Sequence, residues 1–257
     1  MGRPTATVEF KAIADQNPET ATFIEGLPGH GLVAAIAVDQ ITQQLGLTHH
    51  GSLHSDLFPP VTSFTEGQIQ DPVRVYAGET PSVLTLQSDV VLPPTSYRAL
   101  GKCLREEIMA QFERAVFLVG APAQSESEVG DVQGVATTDA LKEELTAANI
   151  PLAAASGLVG GVTGALANDF YQSRIPTMIL IVQANPFYPD PIAAQSLIEN
   201  AVEPLVDFDI ETPELEQQAD AIQSELEQVA AQYQQLIQNE QASQSQDLDQ
   251  PVPSMYQ

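Results

Sequence analysis

The segment from Thr20 to Glu25 is a short run of β-branched and aromatic residues that passes directly into Gly26-Leu27-Pro28-Gly29-His30-Gly31. Apolar residues then recur at helical spacing from Leu32 to Leu45, and Gly46 supplies a stop. A buried strand, a glycine loop and an amphipathic helix in this order form the opening unit of a parallel α/β sheet. Few other arrangements let a strand so apolar be covered on both of its faces.

The same alternation continues along the chain. Val73–Ala77 and Ser82–Leu86 are predicted strands joined by a turn at Gly78–Pro81, and Tyr97–Phe112 is a predicted helix. Ala115–Gly120 is a strongly apolar strand, Asp139–Ala148 a helix, and Leu152–Ala155 a short buried strand. A second glycine-rich segment, Ser156 to Gly164, contains Gly157, Gly160 and Gly161. Thr177–Gln183 is another buried strand, and Asp190–Val202 a helix with Pro191 in its first turn. The fold class expected is α/β: a three-layer sandwich with a mainly parallel sheet over residues 1–206.

Beyond Asp207–Glu211, taken as a linker, the character of the chain changes. Leu215, Ala219, Ile222, Leu226, Val229, Tyr233 and Leu236 follow at alternating spacings of four and three, a heptad seam on an otherwise Gln- and Glu-rich helix. A narrow seam of this kind favours a helix–helix contact, and a homo-oligomer is expected. The segments are therefore a linker and amphipathic heptad helix over 207–240, and a polar, flexible acidic tail over 241–257 that ends in Met255, Tyr256 and Gln257.

Charge limits the partners. The chain has 34 Asp and Glu against 9 Lys and Arg, a formal net charge of −25, with lysine only at Lys11, Lys102 and Lys142. Such a surface repels phosphate backbones and anionic lipid, so no nucleic acid and no membrane partner is expected. The acidity is spread along the chain rather than gathered in one tail, which suits a halophilic cytosol better than a single basic partner. With Cys103 the single cysteine, no intrachain disulfide forms; it is expected to be a buried small residue. The first residues lack the apolar stretch of a signal peptide, and a cytoplasmic protein is expected.

The motifs offer little chemistry. Gly26-x-x-Gly29-x-Gly31 reverses the dinucleotide fingerprint and has no lysine beside it, so a tight strand-to-helix turn is the better reading. His49, His50 and His54 precede Pro59-Pro60 in what reads as a solvated loop, and no metal site is assigned. No Gly-x-Ser-x-Gly is present, and carboxylate pairs lie in polar stretches. No catalytic residue and no cofactor is assigned. The alternative is an enzyme or small-molecule binder with a pocket at the strand ends, formed by Gly26, Gly29, His30, Gly31, Ser156, Gly157 and Gly160.

Three segments carry a resemblance: Phe23 to Val33, Ser156 to Gly160, and Asp190-Pro191-Ile192-Ala193-Ala194 to Glu199. In order and spacing the chain resembles the archaeal branch of the proteasome assembly chaperone family, a haloarchaeal-like member. The resemblance implies a phosphorylase-like α/β sandwich, a homo-oligomer, and the 20S α subunits of the proteasome as partners. The final Met255-Tyr256-Gln257 is similar to the hydrophobic–Tyr–any-residue ends of proteasome-binding proteins. That likeness implies docking of Tyr256 and the Gln257 carboxylate between adjacent α subunits, with Met255 in an apolar site. Some relatives carry a ligase label, including ATP-grasp. Three lysines, none beside a glycine loop, do not supply the phosphate contacts such an enzyme requires.

A net charge of −25 makes self-repulsion a destabilising term in dilute buffer, and molar salt shortens the screening length to about 3 Å. The thermal midpoint is therefore expected to climb steeply from low to molar KCl. A midpoint that stays flat across that range contradicts the halophilic reading.

Overall fold

The strand Ala21–Gly26 (β2) is buried at all six positions, and the architecture follows from covering it. The computed structural model describes residues 7–14, 18, 20–222 and 224. The other strands of the main sheet are Glu9–Ala12 (β1), Thr48–His54 (β3), Val73–Glu79 (β6), Ser82–Ser88 (β7), Phe112–Pro122 (β8), Val132–Ala136 (β9) and Thr177–Ala184 (β10). A separate hairpin pairs Ser63–Thr65 (β4) with Gln68–Gln70 (β5). The eight-stranded order is β1-β3-β6-β7-β2-β8-β10-β9. The centre, β7-β2-β8-β10, is parallel throughout, and antiparallel pairs flank it on both sides. By strand direction β2, β3, β7, β8 and β10 run one way, and β1, β6 and β9 the other, so the mixed sheet is mostly parallel, as the sequence predicts.

Alternation along the central strands sends side chains to two cores. On one face Ile24, Val116, Leu118 and Leu180 pack under the helices Val33–Gln44 (α1), Asp139–Ala147 (α3) and Pro191–Leu197 (α5). On the other face Phe23, Ala115 and Phe117 pack under Tyr97–Cys103 (α2) and Gly161–Gln172 (α4). Phe23, Phe112, Phe117 and Phe170 form a ring cluster with centroid separations of 5.0 to 6.1 Å. Three layers result. No described helix is long and apolar enough to cross a membrane.

Several local expectations change. The helix predicted over 97–112 runs through α2, a π turn at Leu104–Ile108 and a 3-10 turn at Met109–Gln111, and Phe112 already belongs to β8. Leu152–Ala155 is not a buried strand. Leu152 makes one bridge to Gly134 and is 41% exposed, because β9 takes the place beside β10. The histidine segment is strand β3 rather than a solvated loop. His49 sits beside Tyr76 and Ser52, while His50 is buried against the ring of Phe10. Cys103 is buried, and burial foremost pushes its thiol up to about 11.

The compact unit ends at Leu215, so it takes in residues 207–211, the stretch read as a linker. Phe208 and Ile210 pack on the α1–α5 face, and the Ile210 N–H donates to Glu203 Oε1 at 2.9 Å. A helix begins at residue 213; Leu215 is buried, and Gln40 of α1 donates to the Glu211 carbonyl at 2.9 Å and to Glu214 at 3.3 Å. Ala219 and Ile222 are helical. Leu226, Val229, Tyr233, Leu236 and the tail residues Met255, Tyr256 and Gln257 lie outside the described residues.

The close seating of α1 on β2 depends on Gly26. A Cβ there would lie 2.4 Å from Val38 Cβ and 2.9 Å from the Ala34 carbonyl oxygen, too near for either to yield cheaply. Gly26→Ala is expected to cost about 1–3 kcal/mol of stability in urea unfolding at fixed molar salt. An unchanged midpoint would show that α1 does not need this approach.

Candidate functional site

The three sequence segments singled out for their glycines and their Asp-Pro meet at the C-terminal ends of the parallel strands. After β2 the chain turns through Gly29 and His30 and enters α1 by two left-handed residues, Gly31 (φ 61°) and Leu32 (φ 51°). The Gly31 carbonyl accepts the N–H of Asp190 at 2.9 Å. The Asp190 side chain then caps α5, accepting from Ala193 N–H at 2.9 Å, and also accepts from Asn185 N–H at 2.7 Å. His30 lies over β8, where a Cβ on Gly120 would come within 2.3 Å of the His30 carbonyl oxygen.

The second glycine segment joins through a buried acid. Glu25 is fully buried, and its Oε1 accepts from the Thr163 hydroxyl of α4 at 3.0 Å and from Leu27 N–H at 3.3 Å. Its Oε2 has no hydrogen-bond partner. Burial raises the carboxyl from the usual 4.5 to about 8, against the smaller opposing effects of those two hydrogen bonds. Glu25 is therefore mostly protonated at neutral pH and serves as a neutral strut between β2 and α4. It was missed as a candidate from sequence. The signal available was a carboxylate closing an otherwise apolar strand immediately before a glycine.

The residues expected to share one pocket are divided. Gly26 lines a cleft of about 340 Å³ with Asp39, Arg74 and Asp89. Ser156 and Gly157 line a different groove, of about 820 Å³, between β9, β10 and α4. Gly31 is packed against Ala184 and Asn185, and Gly160 caps α4. In the smaller cleft Arg74 is already spent. It makes a two-pronged pair with Asp89 at 2.5 and 2.8 Å, and donates to the Tyr76 hydroxyl and the Asp71 carbonyl. With Asp39 beside it, the cleft carries a net negative charge and disfavours a phosphate. Arg105 and Arg114 are likewise paired, with Asp169 and Glu144.

The PAC2 family pattern matches residues 23–230. The chain belongs to the PAC2 family. That agrees with the kinship implied by the glycine and Asp-Pro segments. An uncharacterized protein of Methanocaldococcus jannaschii is 27% identical over 226 residues, 88% of this chain and 91% of its own length. Among solved structures, Pyrococcus furiosus PbaA, described as an archaeal homolog of proteasome-assembly chaperone, superposes with a TM-score of 0.78 at 22% identity. That match covers 95% of this chain and 100% of PbaA. Pyrococcus furiosus PbaB, described as an archaeal proteasome activator, gives 0.77 at 17% identity, with 87% and 99% covered. At these identities the likeness establishes the fold.

In this PAC2 chain the family segments hold loops and helices together at the strand ends, and Glu25 is their most perturbed acid. Its carboxyl ionises near 4.5 once unfolded but only near 8 in the fold, so the native state holds the proton more tightly. Stability is then highest below 4.5 with respect to this group and falls as pH rises through the window up to about 8. Glu25→Gln is expected to match the parent at acid pH and to exceed it by on the order of a few kcal/mol above the window. Urea unfolding across pH in constant molar salt is the measurement. Parallel curves for the two proteins at every pH would mean that Glu25 is charged in the fold.

Proposed function

We propose that this PAC2 protein is a cytoplasmic, non-enzymatic proteasome-assembly chaperone, a homo-oligomer that holds 20S α subunits and docks on them through Met255, Tyr256 and Gln257. The observation that carries the reading is the match to PbaA over the whole of that chain at a TM-score of 0.78. The PbaB match supports a proteasome-directed role from a second structure of the same fold. The surface chemistry supports binding over catalysis. Scarce cations are tied into ion pairs with Asp89, Asp169 and Glu144, and the strand-end motifs are occupied in holding the fold.

The docking step rests on the Met255-Tyr256-Gln257 motif and the composition of the stretch before it. Residues 241–257 are polar, Ser-, Gln- and Asp-rich and contain proline, the composition of a tether. Tyr256 supplies a rigid ring with a polar tip, the Gln257 carboxylate a charge for a lysine in the pocket between α subunits, and Met255 an adaptable apolar contact. One such tail binds weakly; several on one oligomer raise the effective concentration and the avidity. The pronounced acidity, net −25, suits a protein working in a saline cytosol, where screening leaves short-range contacts of this type in place.

The test is capture of cognate α subunits in matched molar salt by the parent, by a variant lacking Met255–Gln257 and by Tyr256→Ala. Both variants are expected to keep their thermal midpoint and oligomer mass and to lose most of the capture. Undiminished capture by both removes the tail from the mechanism. Failure of the parent to capture any α subunit overturns the proteasome reading itself.

A further inference from the structure

Two apolar features of the described surface are left uncovered, one convex and one concave. The convex one is the β4–β5 hairpin, which is hydrogen-bonded into no other strand of the main sheet. Its turn places Glu66 (φ 48°) and Gly67 (φ 80°) in the left-handed region, the mirror-image geometry that matches the twist of a two-residue hairpin. Phe64 and Ile69 stand directly opposite each other across the two strands and are 76% and 81% exposed. A lone hairpin of three-residue strands is marginal in water, and one that shows a Phe–Ile pair to solvent lacks a cover.

The concave feature is the 820 Å³ groove. Along β10, Met178, Leu180 and Val182 are buried, while Ile179 and Ile181 are half-buried and line the groove floor. Val135, Leu158 and Tyr171 rim it at 39%, 102% and 60% exposure. None of its lining residues is charged, in a chain with 34 acidic and 9 basic residues.

Charge narrows the occupant to a neutral, apolar contribution. A partner that reached the groove through basic groups would find no acid in it to pair with, and one that reached it through acidic groups would find no base. Two copies of a chain at −25 can meet with least repulsion where both contributions are neutral and apolar. The Phe64–Ile69 pair is such a contribution from the same chain. The two features are also apart in the fold. The hairpin is tied to the end of β7 by the Ser63 hydroxyl on Asp89, and the groove crosses β10 and β9, with β2 and β8 between them in the sheet order.

We propose that the β4–β5 hairpin of one protomer docks through Phe64 and Ile69 into the β9–β10–α4 groove of a second copy. This rests on the homo-oligomer reading above and names its contact surfaces. Because hairpin and groove are different patches, each contact leaves one of each free. The contact is head-to-tail, the kind that propagates from copy to copy until a rotation closes it into a ring.

Sedimentation of the full-length protein in molar KCl tests it with single and mixed variants. The parent is expected to sediment as an oligomer. Phe64→Asp, which damages the hairpin, and Tyr171→Asp, which damages the groove, should each fall to the 27.5 kDa chain mass with an unchanged thermal midpoint. Leu158→Asp replaces Tyr171→Asp if the latter fails to fold. An equimolar mixture joins one intact hairpin to one intact groove and should give a dimer with nothing larger. A parent at the mass of one chain overturns both the homo-oligomer and this contact. Either variant at the parent's size, or a mixture that stays monomeric, overturns the hairpin–groove contact alone, and the outcome of α-subunit capture bears on neither.

Discussion

Everything in this molecule is arranged around the burial of β2 on both faces and both edges. Its neighbours β7 and β8 saturate its backbone hydrogen bonds, so it has no edge to expose. Its alternating side chains, Phe23 one way and Ile24 the other, belong to separate cores, which obliges the chain to supply helices on both sides. The absence of a side chain at Gly26 lets α1 close onto the strand end at backbone distance.

The polar groups at this strand end have structural tasks. Asp190 satisfies the first turn of α5 and fixes the loop on either side of it, through Asn185 and Gly31. Glu25 differs, because it spends stability. A carboxyl with only two hydrogen bonds in a dry setting is tolerated by remaining protonated. Thr42, Thr85 and Gln87 provide a quieter counterpart, a buried polar network joining α1 to β7 in which Gln87 donates to the Thr42 hydroxyl and the Val38 carbonyl. Polar contacts built into the interior in this way order the helices on the sheet.

The surface follows a different economy. With nine basic residues in 257, the protein has few cations to present to a partner, and several are committed to ion pairs. Contacts with other molecules must then come from acidic groups, from uncharged apolar patches, or from both. On the function proposed above, the acidic exterior and the uncharged groove leave shape and apolar contact as the means of recognising other proteins.

The central strands and their helices were legible in the sequence because burial on both faces gives continuous apolar runs, as at Phe23-Ile24, Val116-Phe117-Leu118 and Met178 to Val182. Loop-to-helix turns were legible from glycine, and the start of α5 from Asp190-Pro191. The flanking strands β1, β3 and β9 were not. β1 and β9 are short and largely exposed or half-buried, and β3 carries His49, His50 and Gly51 in place of a clear apolar alternation. Leu152 misled for the converse reason, since an apolar residue in an extended segment reads as buried until a neighbouring strand is known to hold the place. By itself the sequence determined the layers, the acidity and the family segments, all properties of local pattern and composition. Tertiary structure alone decided that Glu25 is a neutral strut, that the two glycine segments face different cavities, and that Phe64 and Ile69 stand uncovered. Those depend on which groups share space and exclude water, and residues as distant as Glu25 and Thr163 acquire that relation only when the chain is folded.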